Sequence, residues 1–145
     1  MSQFIETTDY DATVHRELLD AVTRQDEAII EICEDRAISE MKGYLSRRFD
    51  IAAIFAATGN SRHQLILMFC LDMAVYHIFC IHNPQKLGQI RKDRYDRAIE
   101  WLKQVGNPNN PLPVDGLPLN SAALLPDANT TPYVMSSNTK RNNHF

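Results

Sequence analysis

From Leu65 to Ile81 the chain reads LILMFCLDMAVYHIFCI, and only Asp72 and His77 interrupt the apolar run. The run is too long and too free of glycine and proline to be a strand. Its apolar side chains fall on every face, which predicts a helix buried all round. Lipid could bury it, since a spanning helix needs about 20 mostly apolar residues. So could the middle of a helical bundle or a subunit interface. An ionised aspartate near the bilayer centre costs about 2.5–3.5 kcal/mol, and the run is slightly short. Arg62 and His63 open it and His82, Asn83 and Pro84 close it, with no basic cluster at either end. Protein surroundings are therefore expected. A small bundle covers such a helix with difficulty, so part of its surface is expected to meet another subunit.

The flanking segments show amphipathic periodicity. Thr7, Thr8 and Asp9 are good N-cap types for a first helix from about Tyr10 to Val22, with Val14, Leu18, Leu19 and Val22 on one side. Thr23 with Asp26 resembles a capping box ahead of a second helix from Arg24 to about Arg48. Ile30, Cys33, Ala37, Met41 and Tyr44 or Leu45 form its apolar stripe. Its acids come early and its bases late, which suits the helix dipole. Phe49 to Arg62 reads as a connection with a short helical turn at Ile51–Ala57, broken by Gly59-Asn60-Ser61; Ser61 is the expected cap of the central helix. Asn83-Pro84 ends that helix. A last helix runs from about Leu87 to Val105, with Ile90, Tyr95, Ala98, Ile99, Leu102 and Val105 on a broad apolar face, Trp101 at its edge and Gly106 as the C′ residue. Asn107 to Pro118 holds four prolines and three asparagines and predicts an extended linker. Leu119 to Phe145 is polar and aperiodic; Pro132, Tyr133, Val134 and Met135 are its most adhesive patch. Extended at about 3.3 Å per residue, the roughly forty residues after the last helix reach on the order of 100 Å.

The predicted fold class is therefore all-α, a small antiparallel bundle of about four helices with an extended C-terminal arm. Residues 1–106 form the helical domain and 107–145 the linker and arm. A length of 145 residues suits one such domain, and the net charge of −3 argues against a protein living on phosphate contacts. The three cysteines, Cys33, Cys70 and Cys80, lie in predicted helices without CxxC spacing, as reduced buried thiols would. The N-terminus lacks a basic region followed by an apolar core, so no secretory signal is expected.

No catalytic pattern emerges. His77 and His82 are five apart, a poor spacing for shared ligation on one helix, and there is no HExxH or zinc-spaced Cys/His cluster. The glycines are isolated, so no phosphate loop is present, and no GxSxG turn supports a nucleophile. No catalytic residue, metal site or cofactor is therefore expected. Asp72 is the sharpest polar feature, because a buried carboxylate needs a partner or a proton. It reads as a general acid or base, or as one half of an ion pair tying the central helix to a neighbour. No second carboxylate or nucleophile accompanies it in sequence, which favours the ion pair, with Arg48, Arg94 and Arg97 as candidate partners. Arg91, Lys92, Arg94 and Arg97 are mixed with Asp93, Asp96 and Glu100. That mixture reads as a solvated helix face, or as positive charge facing a pore or an acidic partner.

Three stretches together resemble the Mu-like phage head–tail connector family. AISEMKGYLSRRF, Ala37 to Phe49, is similar to its Gly-Tyr-Leu-x-x-Arg-aromatic helix end through Gly43, Tyr44, Leu45, Arg48 and Phe49. LDMAVYHI resembles its Asp-apolar-Ala-x-Tyr helix through Asp72, Met73, Ala74 and Tyr76. RYDRAIEWL is similar to its Arg-Tyr-x-x-Ala-apolar-x-Trp-Leu helix through Arg94, Tyr95, Ala98, Trp101 and Leu102. The resemblance covers roughly residues 4 to 118; the loop Ile51–Ser61 lacks the family's proline-rich turn, and the tail beyond Leu119 is longer than its pattern. It implies a non-enzymatic virion subunit, found in the host cytoplasm during assembly. Such a subunit joins a ring, commonly of twelve copies, under the portal protein. The ring extends the channel for packaged DNA, which passes non-specifically, to the next connector or tail protein, with no membrane involved. The arm at Pro132–Met135 is the expected portal contact. The alternatives are a small helical regulatory or DNA-binding module, a membrane-associated protein and a bundle enzyme.

Overall fold

The computed structural model of the chain describes residues 4–14, 19–20, 26–82 and 84–121. Among these residues there are four α-helices and no strand. They are α1 (Glu27–Leu45), α2 (Ile51–Ala56), α3 (Gln64–His82) and α4 (Gln89–Val105). Single 3-10 helices occupy Thr7–Ala12, Gly59–Ser61 and Pro84–Lys86. The all-α class is as expected. Central helix α3 packs against both α1 and α4, and α1 also touches α4. Aromatic and charged pairs give the direction of α4 along α3: Phe79 meets Arg91, Tyr76 meets Tyr95, Asp72 meets Arg94 and Arg97, and Phe69 meets Trp101. Rising numbers on one helix match falling numbers on the other, so the two are antiparallel.

The chain encloses α3 itself. From Ile66 to Phe79 only Met68 is exposed, while Tyr76 and His77 are half-buried. By length and composition α3 could cross a membrane, and 61% of its Gln64–Ile81 window is buried inside the bundle. Met68 and Ile81 are the large hydrophobic side chains of α3 that stay exposed. Phe4, Ile5, Tyr10, Val14 and Leu19 of the N-terminal segment belong to the same core, together with Ile54 and Leu117. Full burial of such a side chain contributes about 1.5–3 kcal/mol.

Local chemistry explains most element starts. Asp26 is the N-cap of α1, and its side chain accepts from Ala28 N at 3.1 Å. The helix therefore begins at Glu27, three residues later than expected, and ends at Leu45; Thr23 lies outside the described residues. Asp50 caps α2 by accepting from Ala53 N at 3.1 Å. Ser61 does not cap α3. It sits in the preceding 3-10 helix, where its hydroxyl donates to Thr58 O. The residue just before α3 is His63, whose Nδ1 accepts from Ile66 N at 3.4 Å. The first expected helix begins instead as a 3-10 turn with Glu6 as N-cap, Asp9 accepting from Glu6 N at 2.8 Å. Leu19 and Asp20 are helical, and the rest of that expected helix lies outside the described residues.

The chain after α4 does not run free at residue 107. Leu112 N donates to Gln104 O at 3.1 Å, Asp50 N to Pro118 O at 2.9 Å and Asn120 N to Arg48 O at 3.0 Å. Phe49 and Leu119 form an antiparallel bridge. The Asn120 amide donates to Ser46 O and Arg47 O, both at 3.1 Å. Residues 107–120 are thus a strap laid over the C-terminal end of α1, and the packed unit extends past the expected boundary at 106. Prolines keep the strap extended, and the turn at Gly116, with φ of 77°, needs a residue free to adopt positive φ.

Gly106 has a different role from the expected one. It caps α4 with an ordinary right-handed φ of −80°, so no left-handed conformation demands glycine. What demands it is contact: a Cβ there would lie 2.6 Å from the Tyr44 carbonyl oxygen. Gly43, by contrast, has open space around its missing Cβ. Gly106→Ala is expected to destabilise the fold by about 1–3 kcal/mol, as overpacking does. Gly43→Ala should stabilise it by up to about 1 kcal/mol through helix propensity. Urea denaturation of both variants checks this, and equal effects would contradict it.

Candidate functional site

The expected site residues fall into two groups. On the α3–α4 seam, Asp72 is buried, with its carboxylate 3.6 Å from Arg94 Nη1 and 3.5 Å from Arg97 Nη2. Those distances are long for direct hydrogen bonds, and Oδ2 accepts none. The two guanidiniums are about half in water, at 46% and 59% exposure, so the attraction is screened. Burial raises the Asp72 pKa from its ordinary 3.8, against the lowering effect of Arg94 and Arg97. The third candidate partner, Arg48, is elsewhere. Its Nη1 donates to Val105 O at 3.4 Å and to Leu112 O at 3.1 Å, and its head group sits 5.1 Å from the Phe49 ring centroid. Arg48 pairs with carbonyls because it lies just past α1, where the end of α4 and the strap present unsatisfied C=O groups.

An aromatic ladder continues the seam. Tyr76 and Tyr95 stack at 4.1 Å between centroids with an interplanar angle of 17°. Phe69 meets Trp101 at 4.9 Å. Arg91 lies 4.0 Å over Phe79 and Arg97 lies 5.8 Å over Phe69, both within cation–π range.

The second group is at the C-terminal end of α1. Leu45 and Phe49 are buried, Tyr44 is half-buried with its carbonyl against Gly106, and Gly43 is exposed. Of the three stretches that carried the family resemblance, the second and third meet through Tyr76 on Tyr95, and the first reaches both through Glu40, beside Tyr95 and His77. Pro132, Tyr133, Val134 and Met135 lie outside the described residues.

Three polar pins were not anticipated. Glu40 on α1 accepts from Tyr95 OH at 2.8 Å and lies 3.3 Å from His77 Nε2, joining α1, α3 and α4 at one point. Burial first and Glu40 second push the Tyr95 phenol upward. Glu34 is fully buried and accepts from Tyr10 OH at 2.9 Å, and burial first and Glu34 second push the Tyr10 phenol upward. Glu34 sits three and seven residues before Ala37 and Met41, a carboxylate on the apolar stripe, and that spacing was the available signal. Arg62 is the third pin. Buried and charged, it donates to Phe4 O at 2.8 Å, Gly59 O at 2.9 Å and both Asp9 oxygens. Its hydrogen bond to Asp9 is the main reason its pKa is raised. A buried charge needs this kind of full satisfaction. No sequence pattern links residues 9 and 62.

Among the described residues no group of three or more His, Cys, Asp or Glu side chains could hold a metal. The buried thiols Cys33 and Cys70 have pKa values raised chiefly by burial, the opposite of an activated nucleophile. What the seam does physically is fix the register of α3 and α4 while leaving two arginine heads at the surface.

Asp72 generates a test with a definite sign. Its pKa is higher folded than unfolded, so the native state holds the proton more tightly. Stability from this group is therefore lost as pH rises from 3.8 through the folded value. Asp72→Asn is expected to be neutral or stabilising by about 1 kcal/mol at pH 7 and to flatten that acid-side slope, whereas Asp72→Ala, which also leaves a void, costs about 1–3 kcal/mol. Urea titrations across pH check both; a loss above about 2 kcal/mol in Asp72→Asn would show the ion pair to be net stabilising. Comparison with known protein families, with curated proteins and with solved structures found no match for this chain.

Proposed function

We propose that this chain is a virion structural protein, a head–tail connector subunit that joins a ring under the portal and extends the DNA channel towards the tail. The observation that carries the reading is the convergence of the three family-like stretches. Glu40, His77 and Tyr95, one from each stretch and distant in sequence, meet at one point, with Tyr76 stacked on Tyr95 and Asp72 beside Arg94. In the connector family those stretches occur in the same order. A helical bundle whose own chain wraps its central helix leaves its outer faces to make lateral contacts. The residues after Ser121, including Pro132–Met135, are the proposed portal contact.

The strap changes how that last point is tested. Cutting at Pro118 or Leu119 would remove the bridge to Phe49 and the Asn120 hydrogen bonds, so the truncation belongs after Ser121. A chain of residues 1–121 should fold with unchanged helicity and fail to bind portal, while the full chain binds and appears as a ring by negative-stain imaging with mass measurement. Undiminished portal binding by residues 1–121 would refute the arm assignment. Absence of any ring from the full chain with portal would refute the connector reading. A salt-dependent shift of a DNA duplex by the full chain, without rings, would favour a DNA-binding module instead.

A further inference from the structure

Two faces of the bundle carry opposite charge on regular ridges. On α4, Arg91, Arg94 and Arg97 recur every three residues along the edge that faces α3, with Asp93 and Glu100 one turn either side of Arg97. Arg94 and Arg97 flank the same carboxylate, Asp72. Arg91 rests on Phe79, and burial together with Arg94 depresses its pKa. Ile90, 70% exposed, stands at the end of the ridge. On α1, Glu27, Glu31 and Asp35 recur every four residues and are exposed, and Ile32, 49% exposed, borders them. The two ridges have similar length: six residues of α4 rise about 9 Å and eight of α1 about 12 Å.

We infer that the arginine ridge Arg91–Arg94–Arg97 of one copy docks against the acidic ridge Glu27–Glu31–Asp35 of a second copy, with Ile90 and Ile32 covered at the margin. This rests on the connector reading and names the surfaces its lateral contact uses. The contact is heterologous, with two different patches meeting, and heterologous contacts close into rings when the rotation allows. An acidic helix fits better than a nucleic acid strand because the apolar Ile90 has an apolar counterpart in Ile32. The α3–α4 seam fixes the arginines, so less side-chain freedom is lost on docking. Charge pairing of this kind acts on encounter and register and weakens with salt.

The test uses the full chain in sedimentation velocity, at low and at high salt. Self-association of the unmodified chain should weaken on adding salt. Glu27→Lys with Asp35→Lys, both exposed, should weaken it about tenfold or more. Arg97→Gln should weaken it as well, while circular dichroism stays unchanged for each. Arg97→Gln could disturb Asp72, so the α1 double variant is the deciding one, and its association with Arg97→Glu/Asp72→Asn chains should recover towards the unmodified level. Association that survives the α1 reversal, or is insensitive to salt, overturns the interface and leaves the ring reading standing. A chain that stays monomeric at every concentration, alone and with portal, overturns both. Loss of DNA-duplex binding in Arg97→Gln, with association unaffected, reassigns the ridge to nucleic acid and overturns the inference.

Discussion

An α-helix that is apolar on every side has to be enclosed, and the enclosure of α3 is the constraint from which the rest of this structure follows. Two helices cannot surround a third. α1 and α4 cover two flanks, and residues of the N-terminal segment and Leu117 of the strap join the same core. The hydrophobic gain on each of these side chains, about 1.5–3 kcal/mol, offsets the entropy of ordering segments that have little secondary structure to hold them. The result is a small bundle whose central helix is covered mainly by its own chain.

Apolar contact alone would let the helices slide, and the polar pins remove that freedom. Asp72 with Arg94 and Arg97 ties α3 to α4. Glu40 gathers Tyr95 and His77 and so locks α1 to the same level. Arg62 fastens the N-terminal segment at the start of α3 through Phe4, Gly59 and Asp9. Arg48 and Asn120 fasten the strap at the end of α1. Each pin is a charged or amide group meeting backbone carbonyls, carboxylates or phenols, which specifies position more than it adds stability. The helices thereby present fixed ridges of charge on their outer faces.

The helices were legible because their signals are local. A continuous apolar run, stripes at helical spacing and the Asn83-Pro84 stop marked α1, α3 and α4 to within a few residues. Asp72 was legible as a buried carboxylate on an apolar run, and so were two arginines one and two turns along a neighbouring helix. Arg48 looked equivalent in sequence because charge type carries no direction; its position past the end of α1 decided its partners. The strap was misread because proline and asparagine mark extended backbone without saying what it lies on. Gly106 at a helix end suggested a left-handed cap, whereas the close approach of Tyr44 O is visible only in three dimensions. The Arg62 clamp and the N-terminal wall depend on pairings about fifty residues apart, which no periodicity encodes.

The most direct test of the central claim is hydrogen–deuterium exchange of the full chain in detergent-free buffer, at a concentration where sedimentation shows a monomer. If the chain encloses α3 by itself, the amides of residues 66–79 exchange most slowly of all, near the global unfolding limit. Rapid exchange of that segment in the monomer, with protection appearing only on oligomerisation or in detergent, would contradict the account.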